Sequence, residues 1–446
     1  MRLSTLTAVG LALAALTVEP ASVRATTLEE AIQAAIVYHP RIQRDEALER
    51  AAKQEIEVSY SRYLPSVDLD SSIGYEATNS PVTRNTGKGT RDFVRYDNSA
   101  RLTQLIQDGG ATPGLVASAR ANHRATKGDL RETSELIAVD VVQLYLNVLR
   151  DQDFVRIAES NVAAHEEITE RIRGLAEAGR GSDADIAQAD SRLALARATL
   201  EERRGGLRDV VARYIETVGE APENLEPARA REYGEPQSVD EAIAIAMQEN
   251  PSVQATAARV DQAEHDVRVA RANYYPRVDA EVFGSFNDNQ DGTPGTDKDF
   301  NARLRGQWNV FNGFGDVARV RAAEMQRNAA EGTLNDESRR IREETRVVWD
   351  ALETARARIV PLREHVGAQE RTLEAYRGQF DVGRRSLLDL LDSQNELFQA
   401  LTQLSDAEFD LAVAEYELIF VTGRLLRTLG IVVPSEEDDH LENGEG

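Results

Sequence analysis

The chain has 446 residues, of which 29% are charged and 6% aromatic, with a net charge of −24 and no cysteine. That composition suits long helices with thin apolar seams better than a large globular core. It excludes disulfides, thiolate metal sites and a lipid-bearing cysteine, and its acid excess repels phosphates, which argues against nucleic acid as a partner.

Residues 1–25 read as a secretory signal peptide. Arg2 supplies the basic start, Val9 to Leu16 the apolar run, and Val23-Arg24-Ala25 a small-x-small cleavage site. The run is too short to anchor in a bilayer, and no later segment offers a transmembrane helix. A helix is expected next, over 27–65. Thr27 and Glu30 form a capping box, His39-Pro40 interrupts the helix and Leu64-Pro65 stops it. Beyond Pro65 the apolar period changes from helical to two. Val67, Leu69, Ile73 and Tyr75 alternate with Asp68, Asp70, Ser72 and Glu76. Val94, Tyr96, Ala100 and Leu102 alternate with Arg95, Asp97, Ser99 and Arg101, which predicts a β-hairpin over 66–107. A helix over 112–178 follows, about 100 Å long, with Ile137, Val141, Leu144 and Val148 on its seam. It turns at Gly179-Arg180-Gly181 into a return helix over 183–218, about 54 Å long.

The pattern then recurs. Gly383, Leu390, Leu397, Leu404, Leu411, Leu418 and Gly423 lie 204 residues beyond Gly179, Ile186, Leu193, Leu200, Leu207, Tyr214 and Gly219 (383 against 179), so the chain is a duplication. The first repeat spans 26–219 and the second 238–423. The linker over 220–237, with Pro222, Pro227 and Pro236, is expected to wrap the waist of the molecule. The second repeat holds an opening helix ending at Pro276 and a hairpin over 277–311. In its last strand Phe300, Ala302, Leu304, Trp308 and Val310 oppose Asn301, Arg303 and Arg305. A long helix over 316–381, expected to kink at Pro361, leads to a return helix over 386–422. There a leucine every seventh residue, with Ala400, Ala407 and Ala414, makes a close-packed seam. Residues 424–446 are read as an acidic disordered tail, which from Ser435 onward has no Lys or Arg.

Strands of ten or more residues, apolar on one side and charged on the other, are the signature of a transmembrane β-barrel. The membrane-facing set is Val94, Tyr96, Leu102, Phe300, Leu304, Trp308 and Val310. An antiparallel sheet lying on a soluble core remains the alternative. Four strands cannot close a barrel, and free edges in lipid cost several kcal/mol per unpaired group. The barrel reading therefore requires several copies of the chain. Other constellations fail. Gly87-Lys88-Gly89-Thr90 lacks the first glycine of a phosphate loop, and residues 287–298 carry Lys298 where a calcium loop has Glu. The six His have no metal-ligand spacing and no nucleophile elbow occurs, so no enzyme activity, cofactor or metal is expected.

The duplicated LEEAI…P openings, the helix-to-strand prolines, QLIQDGG (104–110), NVFNGFG (309–315) and above all DVGRRSLLDLLD (381–392) make this chain resemble the TolC-like outer-membrane export ducts over nearly its whole length. The resemblance implies a mixed α/β membrane protein. Its homotrimer would form a twelve-stranded barrel in outer-membrane lipid of a Gram-negative cell and a periplasmic α-barrel of antiparallel coiled-coil helices. The resemblance further implies a passive duct that docks to a periplasmic adaptor and to an inner-membrane ABC or proton-driven transporter. The absence of a lipid-bearing Cys favours the type I protein secretion branch over drug or solute efflux. A periplasmic coiled-coil scaffold is the alternative of a different class.

Within the resemblance, Asp389 and Asp392 match the acidic ring of the periplasmic entrance. Arg385 and Asp185 match the closed-state lock, where Phe380 replaces the family's tyrosine and removes a hydroxyl. Ser182-x-x-Asp185 and Ser386-x-x-Asp389 also read as capping boxes, which explain Asp185 and Asp389 more economically than gating does. Asp392 lies a turn further in, where capping does not reach, and its repeat-one counterpart is Gln188. Asp392 is thus the better candidate for the ring and Arg385 for the lock.

Overall fold

The computed structural model describes residues 26–85, 87, 89–228 and 235–433, so the expected signal peptide lies outside the described residues. The first repeat is α1 (Leu28–Tyr38), α2 (Pro40–Tyr60), β1 (Ser66–Thr78), a short α3 (Pro81–Asn85), β2 (Arg91–Gln107), α4 (Ala111–Glu177) and α5 (Asp183–Val218). The second is α6 (Val239–Glu249), α7 (Pro251–Ala272), β3 (Arg277–Asp288), β4 (Thr296–Gln307), α8 (Gly315–Asp381) and α9 (Leu387–Val421), with α10 (Leu425–Leu429) after it. The α1–α2 and α6–α7 breaks share one cause. A residue before proline is pushed out of the helical region, so His39 and Asn250 are extended and cap the next helix through their own side chains. Despite Pro361, α8 runs as one element to Asp381.

The helices form four columns. α4 and α8, 67 residues each, are the full-length ones and extend about 100 Å. Beside α4 stand α2 and α5, one towards each end, and between α4 and α8 stand α7 and α9 in the same way. Half-length helices therefore meet end to end at the waist. The α4–α7 approach is close enough that a Cβ on Gly128 would fall 2.8 Å from the Ala255 methyl. At the waist the apolar core joins α1, the middle of α4, the end of α5 and the end of α9. Tyr145 is fully buried there, its hydroxyl 2.8 Å from the Thr26 carbonyl and 2.7 Å from that of Glu226. The linker around Glu226 thus lies against the middle of α4, while Glu235 near its end pairs with Arg356 of α8.

Two sequence expectations need correction. Residues 424–433 are not tail. Arg424 pairs with Glu249, α10 comes next, and Leu425, Leu426, Leu429, Ile431 and Val433 are buried in the waist core. The apolar run LLRTLGIVV has its own burial drive, hidden by the acidic composition of the residues beyond it; residues 434–446 lie outside the described residues. The last strand is also shorter than expected. β4 ends at Gln307, paired with Arg277, because Pro276 before it has no N–H to continue the ladder. Trp308 and Val310 therefore lie beyond the strand rather than in it.

The strands form one antiparallel sheet in the order β1-β2-β3-β4. Within the chain, β1 and β4 each have one open edge.

Candidate functional site: sheet faces and helical tip

Register decides what each face of the sheet presents. Val67, Leu102, Val282 and Ala302 stand opposite one another across all four strands, and the next row on the same face is Leu69, Ala100, Gly284 and Phe300. This apolar face is open: Leu69 is 78%, Phe300 79% and Leu304 75% exposed within the chain, and Val94, Tyr96 and Leu102 are exposed beside them. The opposite face is ionic. Arg303 binds Glu281 at 2.6 Å, Arg277 binds Asp279 at 2.9 Å, Arg95 binds Glu76 at 2.9 Å, and Arg101 lies over the Phe283 ring. An ordinary half-buried sheet hides its apolar face and exposes its charges. Here the buried carboxylates, Asp279 and Glu281, are on the charged face, and the described residues leave the apolar face uncovered.

Where the sheet meets the helices, exposed aromatics collect: Tyr60, Tyr63, Tyr275, Trp308, Phe311 and Phe314. Tyr60 with Tyr63 and Phe311 with Phe314 are in ring contact, and the Trp308 indole donates to the Tyr274 carbonyl at 3.2 Å. Such a belt belongs at a membrane–water boundary. Sequence reasoning missed it because its members lie in three helix–strand junctions, two of them far from the third in the chain. Among the described residues, no helix is long and apolar enough to cross a membrane, and no group of acidic or His side chains is placed to hold a metal ion.

At the far end of the columns the two helix hairpins close with the same turn. In each, a left-handed glycine, Gly179 or Gly383, ends the long helix, with φ near +72°. The Arg180 N–H bonds the Leu175 carbonyl and the Arg384 N–H that of Gln379, the Schellman arrangement. Three residues after each glycine a serine opens the return helix. Ser182 and Asp185 form one reciprocal capping box, Ser386 and Asp389 the other. The Ser386 hydroxyl donates to Asp389 Oδ2 at 2.8 Å and holds its carboxyl below the usual aspartate range. Asp185 and Asp389 are therefore both engaged in capping.

Asp392, one turn further in, is not a free carboxylate either. Its Oδ1 accepts from the Arg192 guanidinium at 3.0 Å, an ion pair between α9 and α5. Arg385 lies 3.8 Å from Asp389 and stacks its guanidinium on the Tyr376 ring, 3.9 Å from the centroid. Among the described residues of one chain it makes no ion pair with Asp185, which sits in the other hairpin. Phe380 packs against a tip core of Ile168, Ile172, Ala189, Leu387, Leu390 and Leu391. Above this core α4 and α9 meet through polar groups: Gln394 donates to Asn161 at 3.2 Å and His165 is buried. Burial, then nearby Arg192, holds the His165 imidazole below its usual pKa. Arg192, Tyr376 and this polar layer were not found by sequence reasoning. Each acts between helices, and no local spacing marks it.

The model of the family described as outer membrane efflux protein matches residues 31–219 and 242–424, one match per repeat. The outer membrane efflux protein BepC of Brucella suis is 27% identical over 377 residues, covering 84% of this chain and 80% of that protein. The alkaline protease secretion protein AprF of Pseudomonas aeruginosa is 26% identical over 413 residues, covering 88% and 81%. The fold is shared with the outer-membrane channel OprN, with a TM-score of 0.77 at 20% identity over 89% of this chain and 90% of that one. It is also shared with the Campylobacter jejuni channel CmeC, with a TM-score of 0.78 at 15% identity over 93% and 88%.

Proposed function

Since the chain belongs to the outer membrane efflux protein family, and so to a family of outer-membrane channels rather than enzymes, we propose that three copies form the exit duct of a tripartite export machine. Each copy contributes four strands to a twelve-stranded barrel, and the helical columns continue the bore through the periplasm. The observation that carries this reading is the sheet with one uncovered apolar face, one ionic face and an open edge on each side. In lipid those edges must be paired, and joining β4 of one copy to β1 of the next closes the wall. The outer-membrane location sets aside the soluble scaffold. A periplasmic adaptor and an inner-membrane transporter, ABC or proton-driven, supply cargo and energy.

The tip is the gate of this duct. Asp389 and Asp392 ring the entrance, while Arg385, Asp185 and Phe380 hold it shut. For cargo, the reading is type I protein secretion. It is supported by the absence of cysteine and by relatives named for protease secretion. The relative named for efflux keeps solute export as the second reading. Planar-bilayer recording of the purified protein tests the duct, and a heat-modifiable trimer in outer-membrane fractions is expected with it. A monomer that carries no current refutes it. Assays of secreted protein and of dye efflux in a deletion strain decide the cargo.

A further inference from the structure

The α8–α9 turn contains a contact that its repeat-one twin lacks. The Arg385 guanidinium lies on the Tyr376 ring at 3.9 Å from the centroid, and its Nε is buried without a hydrogen-bond partner. The ring contact is made by the flat face of the cation. On its other side Nη1 approaches Asp389 Oδ2 at 3.8 Å, the oxygen that already accepts from the Ser386 hydroxyl. Tyr376, Arg385 and Asp389 thus run in contact from the last turns of α8 to the first turn of α9. In the α4–α5 hairpin the corresponding residues are Ile172 and Gly181 (376 against 172, 385 against 181). Ile172 is buried in the tip core. Tyr376 is absent from that core, although Leu373 and Phe380 on adjacent turns belong to it. Core packing therefore does not explain why a large ring occupies position 376.

We propose that Tyr376 is the positioning residue of the tip, its ring holding Arg385 against the start of α9 in place of the phenolic hydroxyl that Phe380 does not have. The clamp acts through the face of an aromatic ring, so it needs the ring and not the hydroxyl. It braces one hairpin per chain; the other has no such ring contact and is crossed instead by the Arg173–Asp190 ion pair between α4 and α5 at 2.7 Å. This rests on the reading of the tip as a gate held by Arg385.

The test is single-channel recording of the full-length trimer in planar bilayers, with trimer yield as the folding control. Tyr376→Phe keeps the ring and is expected to match the native channel. Tyr376→Leu removes it and is expected to raise open probability about two- to five-fold, the range for a partly exposed cation–π contact. Combined with Arg385→Ser, Tyr376→Leu should add nothing to the effect of Arg385→Ser alone. Opening by Tyr376→Phe equal to that by Tyr376→Leu would overturn the proposal. So would a Tyr376→Leu channel that stays closed while Arg385→Ser opens, or independent addition of the two. If Arg385→Ser itself leaves the channel closed, the gate reading fails and the clamp with it. Tyr376→Met is a second ring-less variant, read in the same way should the leucine variant fail to assemble.

Discussion

Two neighbouring residues on β4 separate the membrane reading from a soluble one. Ala302 belongs to the row Val67-Leu102-Val282-Ala302 on the apolar face, and Asn301, opposite Phe283, points to the ionic face. Ala302 lies six residues from Thr296 and five from Gln307, the ends of the strand. At about 3.4 Å per residue and a tilt near 40°, that places it roughly 13–16 Å along the membrane normal from the two strand ends, close to the middle of an apolar band about 25 Å tall. An arginine there costs about 2–4 kcal/mol per chain, and a trimer bears the cost three times. The same arginine at 301 faces a water-filled bore beside carboxylates and should cost little. The assay compares Ala302→Arg with Asn301→Arg for outer-membrane trimer yield and for urea midpoint in refolding with lipid. Loss of trimer is expected for the first variant and near-native behaviour for the second. Equal tolerance of both would refute the claim that the apolar face meets lipid.

The helical part carries three more expected outcomes. Glu135 is buried on α4, one oxygen accepting from the Leu426 N–H and the other without a partner, and burial pushes its pKa up to about 7. A raised carboxyl pKa favours the folded state while the group is protonated, so this contribution is full below about 4.5 and lost as pH rises through about 7. Glu135→Gln should flatten the fall in melting temperature between acid and alkaline buffer, and an unchanged slope removes Glu135 as its cause. Arg192→Gln frees the Asp392 carboxylate of the proposed entrance ring from its ion pair. An exposed pair of this kind is worth about 0–1 kcal/mol, so block by a multivalent cation should tighten by up to about five-fold in bilayer recordings, and weaker block would count against the acidic ring. Gly423 has φ +72° and a Cβ there would lie 2.6 Å from the Glu249 carbonyl oxygen. Gly423→Ala should therefore destabilise the waist by about 1–3 kcal/mol, visible as a lower melting temperature, whereas Gly383→Ala meets open space and suffers only the strain of its φ.

Periodicity revealed what is periodic. The repeat of Leu390 to Leu418 against Ile186 to Tyr214 disclosed the duplication and the helix pairs. The alternation in Val67–Tyr75 and Phe300–Leu304 disclosed a sheet with two unlike faces, and the prolines at 40, 65, 251 and 276 marked the breaks. Composition misled where it averaged over unlike neighbours, as in 424–446, where a buried LLRTLGIVV precedes an acidic run. Contacts between columns left no trace in the sequence. Arg192 reaches Asp392 across 200 residues of chain, and Gln394 reaches Asn161 across 233. Both pairings depend on the rotation of one helix about another, which heptad spacing constrains only to a face.

Duplication also explains why the tip carboxylates were hard to assign. Two copies of one turn give two identical capping boxes, so any role shared by Asp185 and Asp389 has local capping as its sufficient cause. A role specific to the proposed gate is to be sought where the copies differ, as at Asp392 against Gln188, Arg385 against Gly181, Phe380 against Ala176 and Tyr376 against Ile172. At these four positions the charged or aromatic side chain is on the second hairpin, while Asp183 against Leu387 and Asp190 against Gln394 place a charge on the first. The turn itself is held by the same Schellman and capping bonds in both hairpins, so removing those four side chains leaves the bonds of the turn in place. On the proposed gate, folding of the turn and closure of the entrance would rest on separate residues, so that one could be altered without the other.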